Sequence, residues 1–178
     1  MDHPRSGLKY VDADDLDKDT FDFDGVEVVD PAGGKLGKVD GFIIDVNAGR
    51  PYHVVVEAGN WFRHKHFLLP IGHVALDTAN RRMTADVAKA RVERFPGFHR
   101  SEFEKLTGDE IDRMAYTSAS VCCDDPLDTS MAWESWTHYE YPSWWDASYY
   151  RPDRIRNRDE AGITAPQAKT AAADRGRS

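Results

Sequence analysis

The fold is decided by the segment VEVVDPAGGKLGKVDGFIIDVNAGRPYHVVVEAG, residues 26–59. Apolar side chains recur at every second position in residues 42–46 and again in residues 52–56, which is the period of a strand with one buried face. Between these two runs stands Gly49, which can adopt the positive φ that a tight hairpin requires. The segment therefore predicts two strands joined by a hairpin.

The same short-strand pattern continues on both sides of this hairpin. Four further strands are predicted at residues 26–28, 64–69, 74–76 and 83–87. About six short strands at even spacing, without long helices between them, favour a mainly β fold. We expect an antiparallel sheet that closes into a small barrel, because closure leaves no exposed edge strand.

Short helices are predicted after the barrel. Residues 88–95 have a helical composition and are stopped by Pro96. The sequences S-x-x-E at 101–104 and T-x-x-E at 107–110 both match a capping box, in which the first side chain and the fourth residue satisfy each other's backbone N–H groups. We expect two short helices within residues 101–117.

Composition divides the chain into five parts. Residues 1–21 are rich in Asp and predict a solvated acidic leader, and residues 22–100 form the predicted barrel. Residues 101–117 carry the short helices, and residues 118–150 form an acidic, aromatic-rich arm without a clear period. Residues 151–178 are rich in Arg, Ala and Gly and predict a disordered tail.

Charge and hydropathy argue against several classes of partner. The net charge of −8 works against a nucleic-acid partner, since affinity for phosphate comes largely from Lys and Arg. No window approaches the roughly 20 apolar residues of a spanning helix, and the first residues lack the apolar core of a secretory signal. We therefore expect a cytoplasmic protein that binds no nucleic acid and does not insert into a membrane.

An ordered series of short sequences resembles the PRC-barrel family. These are GVEV at 25–28, GGKLGKV at 33–39, IID at 43–45, GRPY at 49–52, VVV at 54–56 and FLLP at 67–70 followed by Val74. The resemblance covers roughly residues 22–100. It implies a small, mostly antiparallel β-barrel of the kind found in the photosynthetic reaction-centre H subunit and in a ribosome maturation factor. Known members use this barrel for binding and assembly.

The arm provides the clearest indication of a binding surface. Eight Trp and Tyr side chains lie within residues 133–150, and aromatic anchors of this kind dominate protein interfaces. The predicted docking residues are Trp133, Trp136, Tyr139, Tyr141, Trp144 and Trp145. They can dock on a partner, on a second copy of the chain or on their own barrel, and the sequence leaves all three open. We expect a non-enzymatic binding and assembly module without a cofactor, which binds a protein partner or forms a homodimer.

A metal-dependent enzyme or metal-binding protein is the first alternative. It would use His64 and His66, which share a face of a predicted strand, together with His73 or His53. No Glu follows at a suitable spacing, so we interpret His64 and His66 as part of a solvated basic patch.

Two further observations bear on function. Cys122 and Cys123 are adjacent, which disfavours an unstrained disulfide, and no CxxC sequence accompanies them, so the sequence predicts no metal site there. A ribosome- or RNA-associated role is the second alternative, by analogy with the maturation factor. The acidic balance of the chain weakens that analogy.

Overall fold

A computed structural model describes residues 7–59, 65–124 and 126–151, and it confirms a mainly β fold. Seven strands form one sheet: β1 (Leu8–Asp12), β2 (Glu27–Val29), β3 (Lys35–Asp45), β4 (Arg50–Glu57), β5 (His66–Pro70), β6 (Val74–Asp77) and β7 (Arg82–Ala85). Two α-helices follow, α1 (Arg100–Phe103) and α2 (Gly108–Cys122). The predicted hairpin joins β3 to β4, and Gly49 at its turn has φ of +67°.

The sheet contains parallel and antiparallel pairs, and among the residues described its two edge strands do not pair to close it. The expectation of a fully antiparallel, closed barrel is therefore corrected. Its strand order is β5-β4-β3-β2-β7-β6, and β1 also pairs with β3. The pair β2–β7 is parallel, because only strands joined by a tight turn are forced to run antiparallel, and these two are far apart in sequence. Within the described part of the chain, no ladder joins β5 to β6.

The described part of the predicted acidic leader, residues 7–21, belongs to the sheet and the core. β1 pairs antiparallel with residues 41–45 of β3, and Leu16 and Phe21 are buried. Several of its aspartates accept hydrogen bonds from the backbone N–H two residues later, as Asp12 does from Asp14 and Asp17 does from Asp19. The acidic residues therefore form turns between buried apolar residues, and a composition average hides that arrangement.

Two apolar clusters lie on opposite faces of the sheet. The inner cluster contains Phe23, Phe42 and Val54, and the outer cluster contains Ile43, Tyr52 and Val55 together with residues of α2. The register between β3 and β4 shifts near Ile43 and Ile44. Because a bulge changes which face the following side chains point to, Tyr52 lies in the outer cluster while Val54 lies in the inner one.

The helical predictions are confirmed in part. Thr107 caps α2 with both hydrogen bonds of the capping box, whereas the predicted box at residues 101–104 is wrong, because α1 begins after His99. The segment predicted as a helix at 88–95 contains a 3-10 helix, Lys89–Arg94. α2 runs to Cys122, past the predicted boundary at residue 117.

Residues 118–122 of the predicted arm belong to α2, and from here on the arm means residues 126–150. This part is irregular, as predicted, and contains three single-turn 3-10 helices, Trp133–Ser135, Thr137–Tyr139 and Ala147–Tyr149. The predicted disordered tail lies outside the described residues except for Arg151. Across residues 7–59, 65–124 and 126–151, no helix combines the length and apolar character that crossing a membrane requires.

Candidate functional site

The arm packs against its own barrel. Each of its four indole N–H groups donates a hydrogen bond within the chain: Trp133 to Asp112 Oδ1 and Trp136 to the Asp128 carbonyl, both at 2.8 Å, Trp144 to the Val74 carbonyl at 2.8 Å and Trp145 to the Gly49 carbonyl at 3.1 Å. A buried indole N–H needs such a partner. Three of these bonds hold the arm to separate parts of the fold, and the bond from Trp136 to Asp128 lies within the arm.

The first half of the arm is anchored by Tyr139, which is fully buried. Its hydroxyl donates to the Ala115 carbonyl of α2, and its ring lies 4.9 Å from those of Trp133 and His53. His53 Nε2 lies 3.2 Å from the same hydroxyl and donates to it, because the hydroxyl proton is already committed. Burial lowers the pKa of His53 to about 3, so this imidazole is neutral at pH 7.

The second half of the arm enters the inner cluster. Trp145 and Tyr149 pack against Phe23, with ring centroids 6.3 Å and 5.1 Å away. The Asp17 N–H donates to the Tyr149 carbonyl at 2.9 Å, and Arg151 Nε lies 3.1 Å from the buried carboxylate of Asp17. The arm and the N-terminal segment are therefore packed together in the inner cluster.

These contacts place the six predicted docking residues in different environments. Trp133, Trp136, Tyr139 and Trp145 are buried in the chain's own fold, so a partner that used them would have to displace existing contacts. Trp144 is half-buried and Tyr141 is 46% exposed. A docking role stays a prediction, and of the six these last two offer accessible surface.

A glycine lets the arm approach the barrel closely. A Cβ atom at Gly72 would lie 2.1 Å from the Thr137 carbonyl oxygen and 2.7 Å from that of His138. Only a residue without a side chain tolerates backbone at that distance. The approach places His73, the next residue, beside His138, and their Nε2 and Nδ1 atoms are 2.8 Å apart.

Both cysteines join these two histidines in a compact quartet of metal-binding side chains, which we call the Cys–His quartet (His73, Cys122, Cys123 and His138). Its four ligand atoms all lie within 4.8 Å of one another. Cys122 is the last residue of α2, and Cys123 is extended at φ −161° and ψ 176°. Because the helix ends between these two residues, both side chains point toward the quartet, and their Sγ atoms are 3.2 Å apart.

Sequence reasoning missed this quartet. Its members are separated by up to 65 residues, and no spacing rule connects Cys122–Cys123 to His73 and His138. His138 was not a predicted site residue. The only local signal was the pair of adjacent cysteines, which without a CxxC sequence predicted nothing.

The predicted histidine site is not assembled among the described residues. His53 is buried against Tyr139, His73 belongs to the quartet, and His64 lies outside the described residues. His66 instead stands near Asp40 and Glu57 at a partly exposed edge, with its Nε2 3.7 Å from Asp40 Oδ1. The hydroxyl of Tyr10 donates to the other oxygen of Asp40.

A groove of about 310 Å³, which we call the helix groove, runs between the helices and the barrel. Leu68, Phe98, Phe103, Leu106 and Met114 supply its apolar floor. Its rim carries His99, Glu102, Glu110 and Arg113. None of these residues was predicted as a site, because an apolar floor built from β5, α1, α2 and the loops beside α1 has no local sequence signature.

Comparison with known families identifies the barrel. Residues 19–92 match the model of the PRC-barrel domain, which confirms the predicted resemblance of this part of the chain. The match overlaps the region of predicted resemblance and stops before α1 and the arm. A comparison with curated proteins finds no match.

Proposed function

We propose that the protein is a non-enzymatic, cytoplasmic binding and assembly module that forms a homodimer through the helix groove. The observation that carries the proposal is the composition of that groove, which has an apolar floor and a charged rim. Protein interfaces have this anatomy, with a desolvated apolar centre surrounded by polar residues.

The packing of the arm supports a role for the helix groove instead of the aromatic segment. Four of the six aromatic residues predicted to dock are already buried in the chain's own fold. In contrast, Leu106 and Met114 remain half-exposed in the groove. An apolar surface that a folded chain leaves open is a better docking site than one it has already covered.

The rim favours a second copy of the chain as the occupant. It carries both signs of charge, since Arg113 stands near Glu102 and Glu110 around the same groove. In a two-fold interface each patch meets itself, so a patch with both signs can place Arg113 opposite a partner glutamate. An interface of this type needs to bury about 800 Å² on each chain.

The test measures the mass of the full chain by analytical ultracentrifugation over a range of concentrations. We expect a dimer that Leu106→Glu and Met114→Glu each convert to monomer, because a buried unpaired carboxylate is costly in an interface. Both side chains are partly buried against the outer cluster, so circular dichroism first checks that each variant is folded. Tyr141→Ala, which changes an exposed aromatic side chain of the arm, is the matched control and should remain dimeric.

Two outcomes would contradict the proposal. A monomer at every concentration would exclude the homodimer, and a dimer that Tyr141→Ala alone disrupts would move the interface to the arm. The RNA-associated alternative predicts instead salt-sensitive binding of RNA by the wild-type chain. A metal-dependent enzyme using His64 and His66 predicts that a metal is lost from the His64→Ala/His66→Ala variant.

A further inference from the structure

We propose that the Cys–His quartet is a structural zinc site that fastens the arm to the barrel. The quartet combines two thiols and two imidazoles, and tetrahedral sets of two sulfur and two nitrogen ligands are typical of Zn²⁺. The site goes beyond the proposed binding function and uses none of the residues of the helix groove.

The distances within the quartet approach those of a zinc tetrahedron. With Zn–S near 2.3 Å and Zn–N near 2.0–2.1 Å, tetrahedral geometry places sulfur and nitrogen ligands about 3.5 Å apart. The Cys123 Sγ atom lies 3.5 Å from His73 Nε2 and 3.7 Å from His138 Nδ1, and Cys122 Sγ lies 3.9 Å from His138 Nδ1.

The other two measured edges are shorter than the ideal values. The two sulfur atoms are 3.2 Å apart and the two ring nitrogens 2.8 Å apart, against roughly 3.8 Å and 3.3 Å in a regular zinc site. Side-chain rotations that lengthen each of these two distances by about half an ångström would bring them to the values of a regular site. The sulfur separation is also well beyond the ~2.05 Å of a disulfide bond.

The electrostatic surroundings favour a cation. The quartet stands at the C-terminus of α2, where the helix dipole places partial negative charge. Asp86 Oδ2 lies 4.0 Å from His73 Nδ1, on the far side of that imidazole from the quartet. At this distance the carboxylate makes no hydrogen bond to the ring, but its negative charge favours a cation at the quartet. The nearby cation, Arg91, is paired with Asp124 at 2.7 Å.

The ring of His138 presents Nδ1 to the quartet. This side chain is 1% exposed, and its Nδ1 lies 2.8 Å from His73 Nε2 and 3.7 Å from Cys123 Sγ. Nδ1 is therefore the ring nitrogen that would bind the zinc.

Four protein ligands make the site structural. A catalytic zinc keeps an open position for water or substrate, and the quartet already fills a tetrahedral shell. The ligands come from three regions: the 3-10 turn Ile71–His73 of the barrel, the end of α2, and the 3-10 turn Thr137–Tyr139 of the arm. The metal therefore joins three segments that are distant in sequence.

The test measures zinc in the full chain, purified under reducing conditions without a histidine tag. Elemental analysis should find about one zinc per chain. The double variant Cys122→Ser/Cys123→Ser should lose it, while His66→Ala, which disrupts the group of Asp40, Glu57 and His66, should retain it. Absence of zinc from the wild type, or equal zinc in the cysteine variant, would overturn the proposal.

Cobalt substitution keeps the test decisive if the cysteine variant does not fold. Cobalt bound to the wild-type chain should give the intense visible bands of tetrahedral coordination and a near-ultraviolet band from thiolate-to-metal charge transfer. Cobalt binding without the thiolate band would exclude the quartet. Removing zinc with a chelator should lower the melting temperature by about 5–11 °C, since a ligand at a hundred times its Kd stabilises by roughly 2.7 kcal/mol.

Gly72→Ala provides a variant that changes no ligand. A methyl group at this position collides with the arm backbone at Thr137 and should separate His73 from His138. We expect at least a tenfold weaker affinity for zinc with all four ligands still present. Unchanged affinity would contradict a site shared between barrel and arm.

Discussion

The barrel and the arm both contribute buried side chains to the core, but these side chains are specified in different ways. In β3 and β4, alternation of apolar side chains predicts which residues enter the core, and Phe42, Ile44 and Val54 do so. In the arm, buried residues such as Tyr139 and Trp145 follow no period. A strand positions its side chains by local backbone geometry, whereas an irregular segment needs a specific partner for each one.

This comparison shows that aromatic richness outside a periodic element indicates burial as readily as it indicates binding. The arm contributes Trp133 and Tyr139 to the outer cluster and Trp145 and Tyr149 to the inner one. It therefore completes both faces of the sheet. The boundary between barrel and arm is a boundary in sequence pattern, and the hydrophobic core crosses it.

Deleting residues 125–178 is expected to have the largest effect. The truncation uncovers apolar residues on both faces of the sheet, including Phe23 inside and Tyr52 outside. We expect loss of cooperative thermal unfolding and binding of a hydrophobic dye. Deleting only residues 152–178 keeps every described arm contact and serves as the control. A truncated chain that still unfolds cooperatively, without dye binding, would show that the barrel is independent of the arm.

Changes at Tyr139 sharpen the comparison at a single residue. Tyr139→Ala should reduce the free energy of unfolding by about 3–5 kcal/mol, as large a loss as Phe42→Ala in the barrel, because both side chains are fully buried. Tyr139→Phe should cost about 1–3 kcal/mol, since the Ala115 carbonyl and His53 Nε2 lose their partner. Urea denaturation measures both. A loss below about 1 kcal/mol for Tyr139→Ala would indicate that the arm is an appendage.

The smallest expected effect is a pH dependence of the free energy of unfolding, which arises because the arm buries His53. Burial lowers the pKa of His53 to about 3, so only the unfolded chain takes up this proton as the pH falls below 6.5. The contribution of neutral, buried His53 to the free energy of unfolding is complete above pH 6.5 and is lost as the pH falls from 6.5 to 3. At pH 5 the loss is about 2 kcal/mol.

Urea denaturation of wild type and His53→Gln at pH 7 and pH 5 isolates this contribution. The stability difference between the two proteins should shift by about 2 kcal/mol in favour of the variant at the lower pH. A difference that does not change with pH would mean that water reaches His53 and that the arm does not seal the outer face.

Much of the barrel could be predicted because its signals are local. The hairpin around Gly49 and the capping box at Thr107 each need only neighbouring residues, and both are present. The N-terminal segment was predicted to be solvated because aspartates dominate its composition, and these residues form turns. Its strand β1 becomes evident only from its pairing with the distant strand β3. The parallel pairing of β2 with β7 likewise joins strands that share no turn.

The sequence alone determined the strand period, the main hairpin, the helix start at Thr107 and the resemblance of the barrel, because each depends on residues within a few positions of one another. Only the tertiary structure decided where the arm lies and which side chains meet at the Cys–His quartet. His73 and His138 come together because Gly72 lets two distant backbones approach. A contact of that kind depends on the packing of the whole chain, so no local pattern predicts it.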